Sequence, residues 1–129
     1  MRLRVVTPAR GLVDAEVTEV TAPGIEGEIG LLPEHVTFLG GLDVGVLSYD
    51  EGGSTRRLVV DGGYVEVSDD TITVLADAAE QPDEIDAGAA RSELADLERA
   101  LDASDEGPEQ VADLLRQIRR AHVRAEVAS

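Results

Sequence analysis

The sequence predicts an α+β protein in which an all-β N-terminal part is followed by an antiparallel pair of helices. Two observations carry this. Up to about residue 79, short apolar stretches are separated by Gly, Pro and Asp clusters, the pattern of closely spaced strands and turns. Beyond Gln81-Pro82-Asp83 the chain becomes rich in Ala, Leu, Glu and Arg, and its apolar residues recur at steps of three and four.

Residues 2–7 and 15–21 alternate most clearly. In the second stretch Ala15, Val17, Glu19 and Thr21 share one face, with Glu16, Thr18, Val20 and Ala22 opposite. Further strands are expected at 44–49, 55–60, 64–67 and 71–75. Asp50-Glu51-Gly52-Gly53 suits a hairpin turn, and Ser68-Asp69-Asp70 joins two stretches whose β-branched residues fit a pleated, half-buried surface. Gly24, Gly27 and Gly30, at three-residue intervals, precede Pro33 and His35. They lack the strand-to-helix context of a phosphate loop, so tight-turn geometry is the better reading.

In the helical part, Ala90, Leu94, Leu97 and Leu101 form one apolar stripe, and Val111, Leu114, Leu115, Ile118, Ala121 and Ala125 form another. Ser104-Asp105-Glu106-Gly107-Pro108 breaks the two helices, with glycine suited to end one and proline to start the next. A single stripe on each helix must be buried in the seam between them or against another surface. Because that seam is thin and alanine-rich, the hairpin is expected to leave the β part at low cost and dock elsewhere. Charge is uneven along it. Residues 83–113 hold eleven acids and two arginines, whereas 114–129 hold four arginines and Glu126 alone as an acid. Arg116, Arg119, Arg120 and Arg124 therefore read as a basic tip, or as complements to a helix C-terminus.

Composition narrows the function. With 43% apolar residues but only 2% aromatic, the core must be aliphatic. A formal charge of -16 repels phosphate backbones and anionic lipids, which argues against nucleic acid as a partner. All eleven basic residues are arginine, consistent with GC-rich coding or adaptation to salt. The absence of cysteine removes disulfides and thiol chemistry. No stretch approaches the ~20 apolar residues of a membrane span, so any membrane association is expected to pass through a partner. The two histidines, His35 and His122, stand far apart without a metal-binding spacing, and no nucleophile elbow or Walker loop is present. No residue is assigned to catalysis or to a metal.

Glu26-Gly27-Glu28-Ile29-Gly30 followed by Leu32-Pro33-Glu34-His35 resembles the signature of the epsilon subunit of bacterial F-type ATP synthases. Two further stretches agree with that family in order and spacing: Val60-Asp61-Gly62-Gly63-Tyr64-Val65-Glu66-Val67, and Thr71-Ile72-Thr73-Val74-Leu75-Ala76-Asp77-Ala78-Ala79-Glu80. The resemblance runs from residue 3 into the second helix. It implies an antiparallel β-sandwich of about ten strands over residues 1–81 and a regulatory helical hairpin over 82–129. It also implies a non-catalytic central-stalk subunit that binds the gamma subunit and the c-ring and couples proton-driven rotation to ATP synthesis. By position, Glu28 matches the family's c-ring-contacting carboxylate and His35 belongs to the adjoining loop. The hairpin, extended along gamma, would block ATP hydrolysis, with Arg116, Arg119, Arg120 and Arg124 facing acidic loops of the alpha and beta subunits.

Some family members bind ATP on the folded hairpin. Glu80, Ile85, Asp86 and Ala90 keep that motif's register, and Arg120 and Arg124 match its second-helix pair. Ala89 replaces the motif arginine, however, and Gly88 precedes it at a cost of roughly 1 kcal/mol relative to alanine. ATP affinity is therefore expected to be weak or absent, and no cofactor is assigned. Two other readings explain less. A free-standing acidic β-sandwich adaptor with a helical tail leaves the three ordered motifs to chance, and a metal hydrolase built on His35 and His122 conflicts with their spacing. The start of the chain does not resemble a signal or transit segment, which favours a bacterial protein held at the cytoplasmic side of the plasma membrane.

Overall fold

The computed structural model describes residues 1–32 and 37–128. Eight strands are present among them: β1 (Arg2–Val6), β2 (Gly11–Glu16), β3 (Glu19–Gly24), β4 (Gly27–Leu31), β5 (Phe38–Leu42), β6 (Gly45–Glu51), β7 (Ser54–Ser68) and β8 (Thr71–Glu80). They hydrogen-bond in the order β2-β1-β8-β7-β5-β3-β4, while β6 pairs both β3 and β7. β3 and β5 meet through one residue pair, Gly24 with Leu42, and the sheet closes over a largely aliphatic main core that includes Leu3, Val20, Leu47, Leu58, Val65 and Ile72. The result is a sandwich. Its pairings are antiparallel except between β1 and β8, which run parallel.

The long β7 turns over halfway along. Before its midpoint Leu58 and Val60 enter the core, and after it Val65 and Val67 do. Alternate residues of an unbroken strand face one side, so even-numbered and odd-numbered residues cannot both point inward unless the strand flips. Gly62 and Gly63, with φ of +72° and +112°, provide that flip. A Cβ on Gly63 would lie 2.0 Å from the Leu75 carbonyl oxygen, so no other residue fits without displacing backbone. β8 makes the same exchange, with Ile72, Val74 and Ala76 inward and then Ala79. Here the strand count differs from the expected ten. Stretches 55–60 and 64–67 are one strand through this corner, and β8 continues well beyond residue 75.

The expected strand 15–21 is also corrected: it breaks at Val17-Thr18. The Val17 amide donates to the Met1 carbonyl and the Thr18 amide to the Asp50 carbonyl, which moves the chain from pairing with β1 to pairing with β6. The turns behave as their residues require. Gly52 and Gly53 have φ of +58° and +82°, and Asp69 and Asp70 adopt +51° and +57°, a left-handed pair that aspartate tolerates between tightly joined strands.

A short 3-10 turn at Pro82–Glu84 leads to α1 (Ala87–Ala103) and α2 (Pro108–Ala128). Arg10 grips this linker through both carboxylate oxygens of Glu84, at 2.6 and 2.9 Å, while the Gln81 amide donates to Glu84 at 2.8 Å. Those hydrogen bonds, Arg10's foremost, hold the Glu84 carboxyl below the usual carboxylate range. The two helices pack on each other, and α2 makes the larger contact with the sandwich, at β6 and β7. Their seam is thin: Leu94, Leu97, Leu101, Leu114 and Ile118 are only partly buried. The apolar contact with the sandwich is a small second cluster in which Val59 and Val46 meet Ile85, Ala90, Val123 and Val127.

Candidate functional site

Two surfaces on opposite sides of the β7 corner distinguish this sandwich. The first lies under α2. Val59 and Val46 are register partners facing away from the main core, so their strand neighbours on the same side, Asp61 on β7 and Glu80 paired with Val59 on β8, point at the helix. On α2, Arg116, Arg120 and Arg124 recur every four residues and share one face. The two rows interlock. Asp61 lies between Arg116 (Nη2 to Oδ1, 3.1 Å) and Arg120 (Nε to Oδ2, 3.3 Å). Glu80 lies between Arg120 (3.8 Å) and Arg124, which grips both of its oxygens at 2.8 and 3.1 Å. Arg119 flanks the row and donates to Asp43 Oδ1 at 2.8 Å, and Arg124 also reaches Glu93 of α1 at 3.2 Å.

Burial sharpens this contact. Asp61, Glu80 and Arg124 are the more enclosed members, with side chains about one-fifth exposed, whereas Arg116 and Arg119 are more than half exposed. Bidentate geometry in a partly desolvated setting is where an arginine–carboxylate pair is worth most. Its hydrogen bonds to Glu80, foremost, raise Arg124 above its ordinary value.

The four arginines form no free tip: the outer end of the hairpin is the acidic 104–107 turn, and the arginines lie along the face of α2 turned to the sandwich. Among the residues aligned with an ATP motif, Asp86 caps α1 by accepting the Ala89 amide at 2.9 Å, and Glu80, Arg120 and Arg124 hold one another. Ala89 is exposed. Glu28 is exposed on β4, an edge strand, and His35 lies outside the described residues. His122 is exposed on α2, with Glu126 at 3.9 Å. Asp43 and Asp61 were not singled out from sequence. The available signal was the four-residue recurrence of Arg116, Arg120 and Arg124, which marks a helix face requiring acidic partners.

The second surface is apolar and open. On the later half of β7, Tyr64 faces away from the core with 60% exposure beside its β8 partner Leu75, at 50%. Leu75 pairs with Val6 of β1 on one side, and Tyr64 with Gly41 of β5 on the other. Gly41 has no side chain and Ile25 lies across it, where a Cβ would sit 2.5 Å from Ile25 Cδ1. Ile25 is 67% exposed, and Leu39 on the same face of β5 is 70% exposed. An apolar row thus crosses the sheet from β1 to the β3–β4 turn, next to the edge that carries Glu28. Such a row exceeds the scattered exposed leucines of an ordinary surface.

The sandwich thus presents one open apolar row and one ionic surface covered by its own helix. Comparison with known proteins gives the family. The model of the ATP synthase delta/epsilon chain beta-sandwich domain matches residues 1–82. The ATP synthase epsilon chain of Nitratidesulfovibrio vulgaris strain DP4 is 38% identical over 128 residues, covering 99% of this chain and 87% of its own. That of Geobacter metallireducens is also 38% identical, covering 99% and 93%. In fold, a chain of the Euglena gracilis mitochondrial ATP synthase superposes with a TM-score of 0.81 at 22% identity, over 98% of this chain and 79% of that one. The chain belongs to the ATP synthase delta/epsilon family, as an epsilon chain, a non-catalytic subunit of the F-type complex. Among the described residues no helix is long and apolar enough to cross a membrane.

Proposed function

We propose that the chain is a central-stalk subunit that couples proton-driven rotation to ATP synthesis, held by its apolar row against the gamma subunit. The open row from Val6 through Leu75 and Tyr64 to Ile25 carries this reading, because burial of exposed apolar side chains is what holds a permanent subunit interface together. Glu28, on the adjoining edge strand, is then placed to meet basic groups of the c-ring loops, with His35, seven residues further on in sequence, as a second contact. The protein sits peripherally at the cytoplasmic side of the bacterial plasma membrane, attached through these partners.

The helical hairpin, residues 82–129, is the regulatory part. Docked on the sandwich it leaves the catalytic head free. Extended along gamma, it offers Arg116, Arg119, Arg120 and Arg124 to acidic loops of the alpha and beta subunits and inhibits ATP hydrolysis. The partly buried seam supports such release, since few apolar contacts hold the hairpin down. Coexpression with the gamma subunit tests the coupling role. A stable one-to-one complex is expected, and failure to co-purify would overturn it.

A further inference from the structure

β7 outruns the strand beside it. β8 leaves it at the pair Val59–Glu80, so residues 54–58 are backed by β6 alone. The next bonded pair in register would join Arg57 to Pro82. Pro82 has no N–H to give, and its carbonyl already accepts the Ile85 amide at 3.3 Å. The direction of the free backbone groups follows from the far side of the β6–β7 hairpin. The Asp50 carbonyl accepts from the Thr18 amide at 3.0 Å, so it points away from β7. In such an antiparallel pair both residues turn their N–H and C=O outward, and the pattern recurs at every second pair. Asp50 pairs with Thr55, and Ser48 with Arg57. Thr55 and Arg57 therefore carry their N–H and C=O groups on an edge that no strand covers among the described residues.

A groove of about 660 Å³ lies here, with Tyr49, Thr55, Arg56, Arg57, Asp83 and Val127 in its walls. Neighbouring residues of a strand face opposite ways, so Arg56 and Arg57 share one groove only because it follows the edge rather than a face. Tyr49 is 6% exposed and its ring belongs to the core, yet its hydroxyl reaches the groove and has no hydrogen-bond partner among the described residues. Arg56 is held by Glu51 at 3.1 Å, whereas Arg57 and Asp83 form no ion pair among the described residues. We propose that this edge binds an extended peptide segment of another protein, which adds as a short strand antiparallel to β7 where β8 stops. The edge offers donors and acceptors in alternation, which suits a peptide backbone and not a small anion, since an anion would meet the two carbonyls. A residue paired with Arg57 points to the side of Arg57, so an acidic side chain fits there, and its neighbours face the Tyr49 hydroxyl and fit if polar. Asp83 in the wall favours a single acid over an acidic run. A second copy of this chain fits poorly, because edge-to-edge pairing would set Arg56 and Arg57 against their own counterparts and join two chains of formal charge -16. Such binding needs neither a rotating partner nor a displaced hairpin.

The test titrates the full chain with a capped pentapeptide that has valine at both ends, threonine next to each, and glutamate in the centre. A Kd of roughly 0.1–1 mM is expected, with the NMR signals of the Thr55 and Arg57 amides shifting and those of β1 and β2 unmoved. Glutamine in place of the central glutamate should weaken binding about threefold, the scale of one exposed ion pair. N-methylation of the central amide, which donates to the Arg57 carbonyl in this register, should weaken it about tenfold or more. Arg57→Pro removes an edge donor that β6 does not use and should have an effect of at least about the same size. If that variant fails to fold, the N-methylated peptide decides with the intact chain. Unmoved signals at 55 and 57, or equal affinity for the parent and N-methylated peptides, would overturn strand addition. Equal affinity for the glutamate and glutamine peptides would overturn the acidic preference. A dimer of the intact chain in sedimentation that Arg57→Pro dissolves would hand the edge to a second copy and overturn the peptide as its occupant.

Discussion

Gly63 is the residue on which the two-surface arrangement depends. Its φ of +112° and the 2.0 Å approach of a Cβ to the Leu75 oxygen make Gly63→Ala both strained and obstructed, against backbone that cannot rotate away. Loss of about 3 kcal/mol or more is expected in chemical denaturation. A loss below 1 kcal/mol would show that the corner tolerates a side chain. At the linker, Glu84 is depressed by Arg10, so its stabilising contribution is fully present above the ordinary carboxylate pKa. It is lost as pH falls through the depressed value. The Tm difference between the intact chain and Arg10→Ala should be largest near neutrality and close in acid below about pH 4. Asp14, depressed beside Arg2, is present in both proteins and cancels. A gap independent of pH would mean that Arg10 acts through packing alone.

At the scale of elements, the helices were legible because their signal is local. A 3.6-residue recurrence and a Gly-Pro break need no knowledge of the rest of the chain. The turns at Gly52-Gly53 and Asp69-Asp70 were legible for the same reason. The break at Val17-Thr18 was not, since alternation continues through it and only hydrogen bonds to Met1 and Asp50, distant in sequence, end the strand. The joining of 55–60 to 64–67 was hidden because glycines read as a turn, whereas here they invert a strand that keeps its pairing. The thinness of the hairpin seam was readable from its alanines. Amides of α1 and α2 are therefore expected to exchange faster than those of β7 and β8 in the isolated chain at moderate salt. Equal protection would contradict a hairpin able to leave.

Across the whole molecule, the family motifs identified the sandwich, while the partners of the arginines stayed invisible. Arg119 and Asp43 are 76 residues apart, and Arg116 and Asp61 are 55 apart, so no local pattern links them. The apolar row was equally hidden, because Tyr64 and Leu75 sit in strands whose other apolar residues are core. The same long-range pairing bears on nucleotide. Glu80, Arg120 and Arg124 already satisfy one another and Asp86 is occupied as a helix cap. Together with Ala89 in place of the motif arginine, this leads to an expected Kd for ATP above about 1 mM. Micromolar binding in calorimetry would overturn that.

The measurement that bears most directly on the account is the affinity of the chain for the gamma subunit, compared between Leu75→Asp in the apolar row and Leu115→Asp on the outer side of the hairpin. Both leucines are about half exposed, so neither change should unfold the protein. If the row is the gamma-binding face, Leu75→Asp weakens binding by about 100-fold or more and Leu115→Asp leaves it unchanged. Equal affinity for the two variants, at the level of the intact chain, would contradict the assignment.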